Sequence, residues 1–541
     1  MHKTIVGLEI HVELNTNSKM FCSCKNDPDE KSPNLNICPI CMGHPGTLPV
    51  INKEAVRKVI RTALALNCEI QKRTHFERKN YFYPDLPKGY QISQYAAPIA
   101  GYGYLEIFVK KGEDKVQKSQ ISNLKSQTNS KTQNPNSGTK KIRLRRVHLE
   151  EDTGRLIHPE EKDYSLVDFN RAGIPLMELV TEPDIHSSRE ASDFVRHLQL
   201  ILRYLGVSEA NMEKGEMRCE VNISLLQKSQ IPNPNPPAGG QINSKFQIQN
   251  SKLGTKVEIK NLNSLRAVEK AIEYETRRQG EILEKGGKII QETRGWDDKK
   301  EITFSQREKE ESQDYRYFPE PDLPPLKVTD DFLNDIKSEI PELPESKRRR
   351  FKEEYNVSDK EIELYISHKD LGEYFEKVVS ELEEWIKTKR PEKEIEKEDF
   401  KSSVKLASNY ISTDLQGLLK GASVQGEDFL ITPENFAEFV SIIQNGEISS
   451  KIAKLVLKEM FRTGADPSQV IEAKGLQLIT NQSDLENAVK KVIENNQKAV
   501  NDYKKGKEAT IQFLVGQVMA QTRGKAAPET VQRVLRESLK S

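Results

Sequence analysis

The chain has 541 residues, too many for one hydrophobic core and enough for about three or four domains. Its 83 Lys and Arg balance 82 Asp and Glu, which excludes a polyelectrolyte, and 30% charged with 35% hydrophobic residues is a globular composition. No run of about 18 apolar residues is present to span a bilayer, and MHKTIVGLEIHVEL alternates where a secretory leader needs an apolar block, so a cytoplasmic location is expected.

Thr4–Leu14 alternates strictly. Val6, Leu8, Ile10, Val12 and Leu14 point one way and Gly7, Glu9, His11 and Glu13 the other, the period of a half-buried strand. Asn52 is placed to cap a helix bearing Val56, Val59, Ile60 and Ala63. Lys79–Asp85 and Lys88–Gln91 mix aromatics with Lys, Pro and Gly, and read as a structured loop. Ser187 and Glu190 have capping-box spacing ahead of a helix bearing Ala191, Phe194, Val195, Leu198, Ile201 and Leu205, which Gly206 stops. Alternation returns at Met217–Leu225, with Arg218, Glu220, Asn222 and Ser224 on the polar side, and at Lys256–Leu262, with Glu258 and Lys260.

Two stretches, 115–140 and 226–252, are rich in Gln, Asn, Ser and Lys and lack an apolar period; disordered insertions at hairpin tips are expected there. From about Thr329 onward charged helices take over. Pro341 and Pro344 mark a linker, and Gly464–Pro467 a second boundary. The divisions are a strand-rich domain 1–330, a helical domain 331–466 and a helical tail 467–541. In the tail 12 Lys and Arg face 8 Asp and Glu, a balance that suits contact with a phosphate backbone or simply a solvated surface. The fold class is α+β, an antiparallel sheet with helices on one face, followed by helical modules.

Glu9, His11 and Glu13 share a strand face at intervals of about 6.6 Å. Two carboxylates around an imidazole, backed by an apolar face, repel unless a cation or ligand joins them. His148–Leu149–Glu150–Glu151–Asp152 is a second acidic group, and the two together offer ligands for a hard cation such as Mg²⁺; solvated strand ends are the alternative. The aromatics after Lys79 either stack on a nucleobase while Lys79 meets a phosphate, or pin the loop to the core. Arg171 beside Asn170, Arg218 beside Glu220, Lys260 beside Glu258, and the string Asp314–Asp322 suit phosphate and metal binding or structural ion pairs. Cys22-x-Cys24 and Cys38-x₂-Cys41 have the form of two thiolate knuckles closing a tetrahedral structural zinc site, with an iron–sulfur cluster as the alternative. Cys68 and Cys219 stand alone and read as small buried apolar residues. The sequence has no P-loop, no G-x-G-x-x-G and no H-E-x-x-H.

The strings VGLEIHVEL, ERKNYFYPDLPKGYQISQ, RVHLEEDTGR, SLVDFNRAGIPLMELVTEPDI, MRCEVNISL, VEIKNLNS and DYRYFPEPDLPP resemble, in order, the B-subunit family of aspartyl/glutamyl-tRNA amidotransferases, GatB. The resemblance runs from residue 4 to the tail, where SSKIAKLVLKEM and FLVGQVMAQTRGKAAPE match it. It implies a cradle domain holding a kinase site, a helical domain and a YqeY-like tail that grips tRNA. It also implies an activity: ATP phosphorylates the side-chain carboxylate of Glu-tRNA(Gln) or Asp-tRNA(Asn), and ammonia from an amidase A subunit displaces the phosphate. A small C subunit joins the heterotrimer. By the resemblance Glu9, His11, Glu150 and Glu151 hold Mg²⁺; Glu9, His11, Glu151 and Lys79 are catalytic; and Lys79, Arg171, Arg218 and Lys260 meet the ATP phosphates. Alternation sends Glu150 and Glu151 to opposite faces, so both ligate only if the strand ends or bulges there. The two insertions depart from the family pattern, and the four-cysteine cluster occurs in only some members. A non-catalytic tRNA-binding scaffold of the same complex is the alternative function.

Overall fold

A computed structural model describes residues 2–110, 137–159, 162–226, 254–308, 315–389, 397–477, 482–522, 525–526 and 528–540. The expected insertions lie outside the described residues except at their edges, where 137–140 and 226 are strand. The chain divides into two compact units, Met1–Leu343 and Pro344–Ser541.

The first unit is built on a ten-stranded sheet. Its strands are β1 (Lys3–Glu13), β2 (Glu69–Ile70), β3 (Ala100–Gly101), β4 (Tyr104–Lys110), β5 (Ser137–Glu151), β6 (Pro175–Thr181), β7 (Met217–Leu226), β8 (Val257–Leu262), β9 (Glu292–Asp297) and β10 (Ile302–Glu308). They lie in the order β10–β9–β8–β7–β1–β6–β5–β3–β2, with β4 also on β5. Every pairing is antiparallel except β8 with β9. Between those two strands the chain crosses over through a helix, the connection that a parallel pair requires. The sheet is therefore the antiparallel one expected, made mixed by this single parallel pair. Residues 111–136 and 227–253 each join a pair of adjacent antiparallel strands, β4 to β5 and β7 to β8.

Helices α1 (Lys53–Ala65), α2 (Ser188–Tyr204) and α3 (Leu265–Glu284) accompany this sheet, and α4 (Asp330–Ser338) packs on α1. The alternation of β1 decides which face they cover. Val6, Leu8, Ile10 and Val12 are buried in one cluster with Val59 and Ile60 of α1, Phe194 and Leu198 of α2, and Val268 and Ile272 of α3. Burying each such side chain stabilises by roughly 1.5–3 kcal/mol, and a register slip of one residue would send all of them to the other face. The polar residues of β1 are left on the face away from these helices. Asn52 caps α1 through its side chain, accepting from Glu54 N at 2.9 Å and Ala55 N at 3.2 Å. Ser187 caps α2 through Glu190 N, but the Glu190 carboxylate accepts from His186 N at 2.7 Å and from Lys140 at 2.6 Å instead of closing the box on Ser187. Gly206 follows α2 with φ +61, the left-handed turn that only glycine adopts without strain.

The second unit is helical: α5 (Pro344–Arg350), α6 (Asp359–Ser367), α7 (Lys369–Lys389), α8 (Lys397–Asn409), α9 (Gln416–Leu419), α10 (Pro433–Gln444), α11 (Ser450–Thr463), α12 (Pro467–Ala473), α13 (Gln482–Asn495), α14 (Gln497–Lys504), α15 (Thr510–Gln521) and α16 (Pro528–Lys540). The last four share a separate core of Leu485, Val489, Leu514, Val518, Val531 and Leu535. Helix α12 packs on α10 and α11. The tail core thus begins beyond α12, later than the Gly464–Pro467 punctuation. No helix among the described residues is long and apolar enough to cross a membrane.

Candidate active site

The site is assembled by cross-strand register on the polar face of the sheet. On β1, His11 pairs with Arg218 of β7 on one side and Glu178 of β6 on the other, and Glu178 pairs in turn with His148 of β5. One step along, Glu9 pairs with Glu220, and Arg146 faces Val180. Directly opposed residues in an antiparallel sheet project together, about 5 Å apart, so charges scattered through the sequence become one strip.

His11 Nε2 lies 3.4 Å from Glu178 Oε2 and 3.5 Å from Glu150 Oε1; His148 Nε2 lies 3.5 Å from Glu178 and 3.8 Å from Glu150. Ligand atoms of Glu9, His11 and Glu178 fall within 4.8 Å of one another, as do those of His148, Glu150 and Glu178. Ser93 Oγ donates to Glu150 at 3.0 Å and Arg146 to Glu178 at 3.0 Å. Burial, with the charge of Glu178 beside it, pushes the Glu9 carboxyl up to about 7 against the pull of His11. Burial opposes protonation of His11, but its bond to Glu178 and the charges of Glu178, Glu150 and Glu220 outweigh it and raise the imidazole to about 9. Glu178 is held well below the carboxylate range in spite of burial, by His148, His11 and Arg146. The side chains on this strip also leave hydrogen-bonding capacity unspent. Among the described residues, His148 Nδ1, Asn222 Oδ1, Glu13 Oε2 and Arg146 Nε are buried without a hydrogen-bond partner. Clustered carboxylates and imidazoles with open capacity fit a divalent cation and its phosphate ligand.

Cations flank the strip. Lys260 reaches Glu220 at 3.0 Å and Glu258 at 3.8 Å. Arg218 reaches Asp152 at 2.9 Å; Arg171 reaches Asp152 at 3.0 Å and also pairs with Glu13. Burial and the neighbouring Arg218 pull Arg171 down to about 10. Lys79 stands between the rings of Tyr81 and Tyr315, 5.8 and 5.1 Å from their centroids. Burial disfavours its charge, yet Glu150 and the nearby tyrosines hold its ammonium above the usual range. The strand carrying Lys79 (Glu77–Asn80) is fixed by Arg78, whose guanidinium forks onto buried Glu320 at 2.7 Å twice and lies 4.2 Å from the Tyr90 ring. The stretch Tyr315–Asp322 therefore serves as the wall of this loop. Tyr81 and Tyr90 pin the loop, while Phe82 and Tyr83 are exposed.

Glu150 and Glu151 diverge. The β5–β6 register is regular there, Glu150 opposite Leu176 and Glu151 opposite Pro175, so alternation persists to the strand end. Glu150 joins the strip. Glu151 turns away, pairs with Lys88 and accepts from Ile92 N at 2.9 Å. It lines a cavity of about 220 Å³ together with Cys22, Cys41, His44 and Arg78.

The four cysteines converge: the sulfurs of Cys22, Cys24, Cys38 and Cys41 lie within 4.8 Å of one another. Cys38 N donates to Cys41 Sγ at 3.1 Å, and the wholly buried Lys19 approaches that sulfur at 4.0 Å while donating to Asn36 O at 2.7 Å. The Cys22 thiol bond is the main cause drawing Cys41 down to about 5, with Lys19 contributing. A set of four sulfurs with a ready thiolate fits a closed tetrahedral metal site. Cys68 and Cys219 are buried, and desolvation raises both thiols.

Glu178, the central residue of the strip, is absent from the candidates that the sequence suggests. Its only signal there is a lone carboxylate inside the apolar run PLMELVT.

Residues 4–334 match the family described as the GatB/GatE catalytic domain, and residues 393–539 the GatB domain. Proteins named as the B subunit of aspartyl/glutamyl-tRNA(Asn/Gln) amidotransferase are similar across the whole chain. That of Thermotoga maritima is 44% identical over 542 residues, that of Persephonella marina 43% over 536 and that of Carboxydothermus hydrogenoformans 41% over 541, each covering 99% of both chains. The chain belongs to the GatB family, the B subunits of tRNA-dependent amidotransferases.

Proposed function

We propose that the chain is the kinase and amidating subunit of an amidotransferase that converts Glu-tRNA(Gln), Asp-tRNA(Asn) or both to the amides. A carboxylate resists ammonia because the attack would have to expel oxide. Here a side-chain carboxylate oxygen attacks the γ-phosphorus of ATP, the bond to the bridging oxygen of ADP breaks, and an acyl phosphate forms. Ammonia then adds to the acyl carbon, phosphate departs with the electron pair of the C–O bond, and the nitrogen loses a proton. The observation that carries this reading is the single strip uniting Glu9, His11, His148, Glu150 and Glu178, with Arg218 and Lys260 at its edge.

Glu9, His11, Glu178 and Glu150 would hold Mg²⁺, which neutralises phosphate oxygens when bound. Arg218, Lys260 and Arg171 bind and orient the phosphates, and Lys79, between Tyr81 and Tyr315, adds a fixed positive charge near Glu150. Glu151, paired with Lys88, supports the fold beneath the cysteine knuckle. Cys22, Cys24, Cys38 and Cys41 would hold zinc, which would brace that knuckle when bound. An amidase subunit supplies ammonia, and a small third subunit completes the assembly.

The test is ATP-dependent amidation of each misacylated tRNA by the reconstituted complex. His11→Ala and Glu178→Gln should abolish tRNA-dependent phosphate release while tRNA binding persists. Phosphate release unchanged in both would leave a tRNA-binding scaffold as the function. For the knuckle, Cys41→Ser should release one zinc per chain and lower the unfolding midpoint; a metal-free, equally stable wild-type protein would refute the brace.

A further inference from the structure

Four tyrosine rings run outward from Lys79. Tyr81 meets Tyr315 at 6.0 Å and Tyr315 meets Tyr317 at 6.0 Å, both edge to face, and Tyr317 stacks on Tyr95 at 4.6 Å with 15° between the planes. The series begins beside the Lys79 ammonium and ends at a ring that is 55% exposed. Tyr95 is held firmly. Its own N–H and that of Ala96 both donate to the buried Glu77 carboxylate at 2.7 Å, and Tyr317 backs the ring. The Arg146 guanidinium lies 5.6 Å from the Tyr95 ring, and Arg146 also bonds Glu178. Its buried Nε is without a hydrogen-bond partner among the described residues. A rigid, half-exposed ring with a guanidinium over it offers the aromatic surface and the cation that an unpaired nucleobase uses in stacking.

The strand order says which nucleobase. In the sequence β8–β7–β1–β6–β5, Lys260 and Arg218 stand on one side of Glu9 and His11, and Arg146 with the Tyr95 stack stands on the other. Adjacent strands are about 4.8 Å apart, so the two flanks are separated by roughly 14 Å or more across the acidic centre. Phosphoryl transfer keeps the attacking and leaving oxygens in line on opposite sides of phosphorus. With the nucleotide phosphates on the Lys260 and Arg218 flank, the accepting carboxylate arrives from the Tyr95 flank. Aminoacyl-tRNA carries that carboxylate on an unpaired terminal adenosine.

We propose that Tyr95, backed by Tyr317 and flanked by Arg146, is the stacking site for the terminal adenine of the aminoacylated tRNA, placing the free side-chain carboxylate of the esterified amino acid on the acceptor side of the acidic strip. The assignment rests on the phosphoryl-transfer reading above. It is tested in the complex reconstituted with its partner subunits, using misacylated tRNA whose terminal adenine is replaced by fluorescent 2-aminopurine. Binding to the wild type and to Tyr95→Phe should quench the fluorescence; binding to Tyr95→Ala should not. In Tyr95→Ala the KM for aminoacyl-tRNA should rise roughly 10- to 100-fold, the range of a lost base–aromatic stack, with the KM for ATP within about twofold of wild type. Tyr95→Leu keeps an apolar contact with Tyr317 and gives the same readout should the alanine variant fail to assemble. Undiminished quenching in Tyr95→Ala or Tyr95→Leu overturns the proposal, as does a KM increase confined to ATP, which would make the nucleotide's own adenine the occupant. The fluorescence requires no turnover. Failure of the phosphoryl-transfer reading would show separately, as absent tRNA-dependent phosphate release by the wild type.

Discussion

The same sheet holds two buried clusters of charge that behave oppositely. At one end, Glu275 of α3 and Glu292 of β9 are matched by Arg278 and Arg294. Arg294 reaches Glu292 at 2.7 Å and Glu275 at 3.1 Å, Arg278 reaches them at 3.2 and 2.9 Å, and Thr303 fills the remaining sites. Two carboxylates meet two guanidinium forks, and Glu292 stays ionised below its ordinary range although burial opposes it. At the centre, the Glu9 carboxylate makes no hydrogen bond or ion pair among the described residues, the imidazole contacts are 3.4–3.8 Å, and the Glu9 carboxyl is pushed up to about 7. Burial alone does not separate structure from function, since both clusters are buried. Compensation does. A buried charge whose partners are all present in the chain stabilises the fold, and one left wanting a partner marks where a ligand belongs.

The largest expected effect falls on the compensated cluster. Arg294→Met takes one of two guanidinium partners from Glu275, which has no exposed surface, and from Glu292; with Arg278 still in place it should cost about 3–4 kcal/mol of stability, the low end of the penalty for breaking a buried pair. Denaturant unfolding measures it. The kcat of whatever folds should match wild type, and a loss of turnover without a loss of stability would erase the contrast. Glu9→Gln should do the reverse. Amidation should fall roughly 10²- to 10³-fold, while the magnesium-free protein gains stability at pH 8. The sign follows from linkage. The folded value, about 7, lies above the ordinary 4.5, so the contribution of Glu9 to stability is present below pH 4.5 and lost as pH rises through 7. The glutamine variant should therefore be more stable than wild type by about 1–3 kcal/mol at pH 8 and equal to it near pH 4. A difference that does not vary with pH would show that Glu9 is compensated after all.

This contrast was half legible in the sequence. Strict alternation of Val6, Leu8, Ile10 and Val12 against Glu9 and His11 fixed the two faces of β1, because side-chain period is a local property. The caps at Asn52 and Ser187 were equally local, and both formed. What was not legible is which strands lie beside β1. Glu178 meets His11 only through the β1–β6 register, a long-range pairing that no periodicity encodes. For the same reason no local signal shows that Glu190 satisfies His186 and Lys140 instead of completing its box, or that Arg78 and Glu320 wall the Lys79 loop. The four cysteines sit between these cases. Their spacing announced a cluster, while Lys19, the cation beside Cys41, was visible only in the fold.

The smallest expected effect is on a third carboxylate, compensated like Glu275 but half open to water. Glu361 closes the capping box of α6, accepting from Ser358 N at 2.9 Å and Ser358 Oγ at 2.6 Å, and its other oxygen accepts from Ser408 Oγ of α8 at 2.7 Å. Burial works against its charge, but these bonds hold the carboxyl below its ordinary 4.5. The stabilisation is therefore complete above pH 4.5 and lost as pH falls through the folded value. Glu361→Gln turns one acceptor into a donor and should cost about 0.5–1 kcal/mol at pH 7, reduced from the buried-bond range because water screens the site. The cost should shrink toward zero on acidification. If compensation is what distinguishes the clusters, the pH dependence of Glu361 must run opposite to that of Glu9, with wild type exceeding its glutamine variant at neutral pH here and falling below it there. Parallel pH profiles for the two substitutions would mean that exposure, and not the presence of partners, governs both.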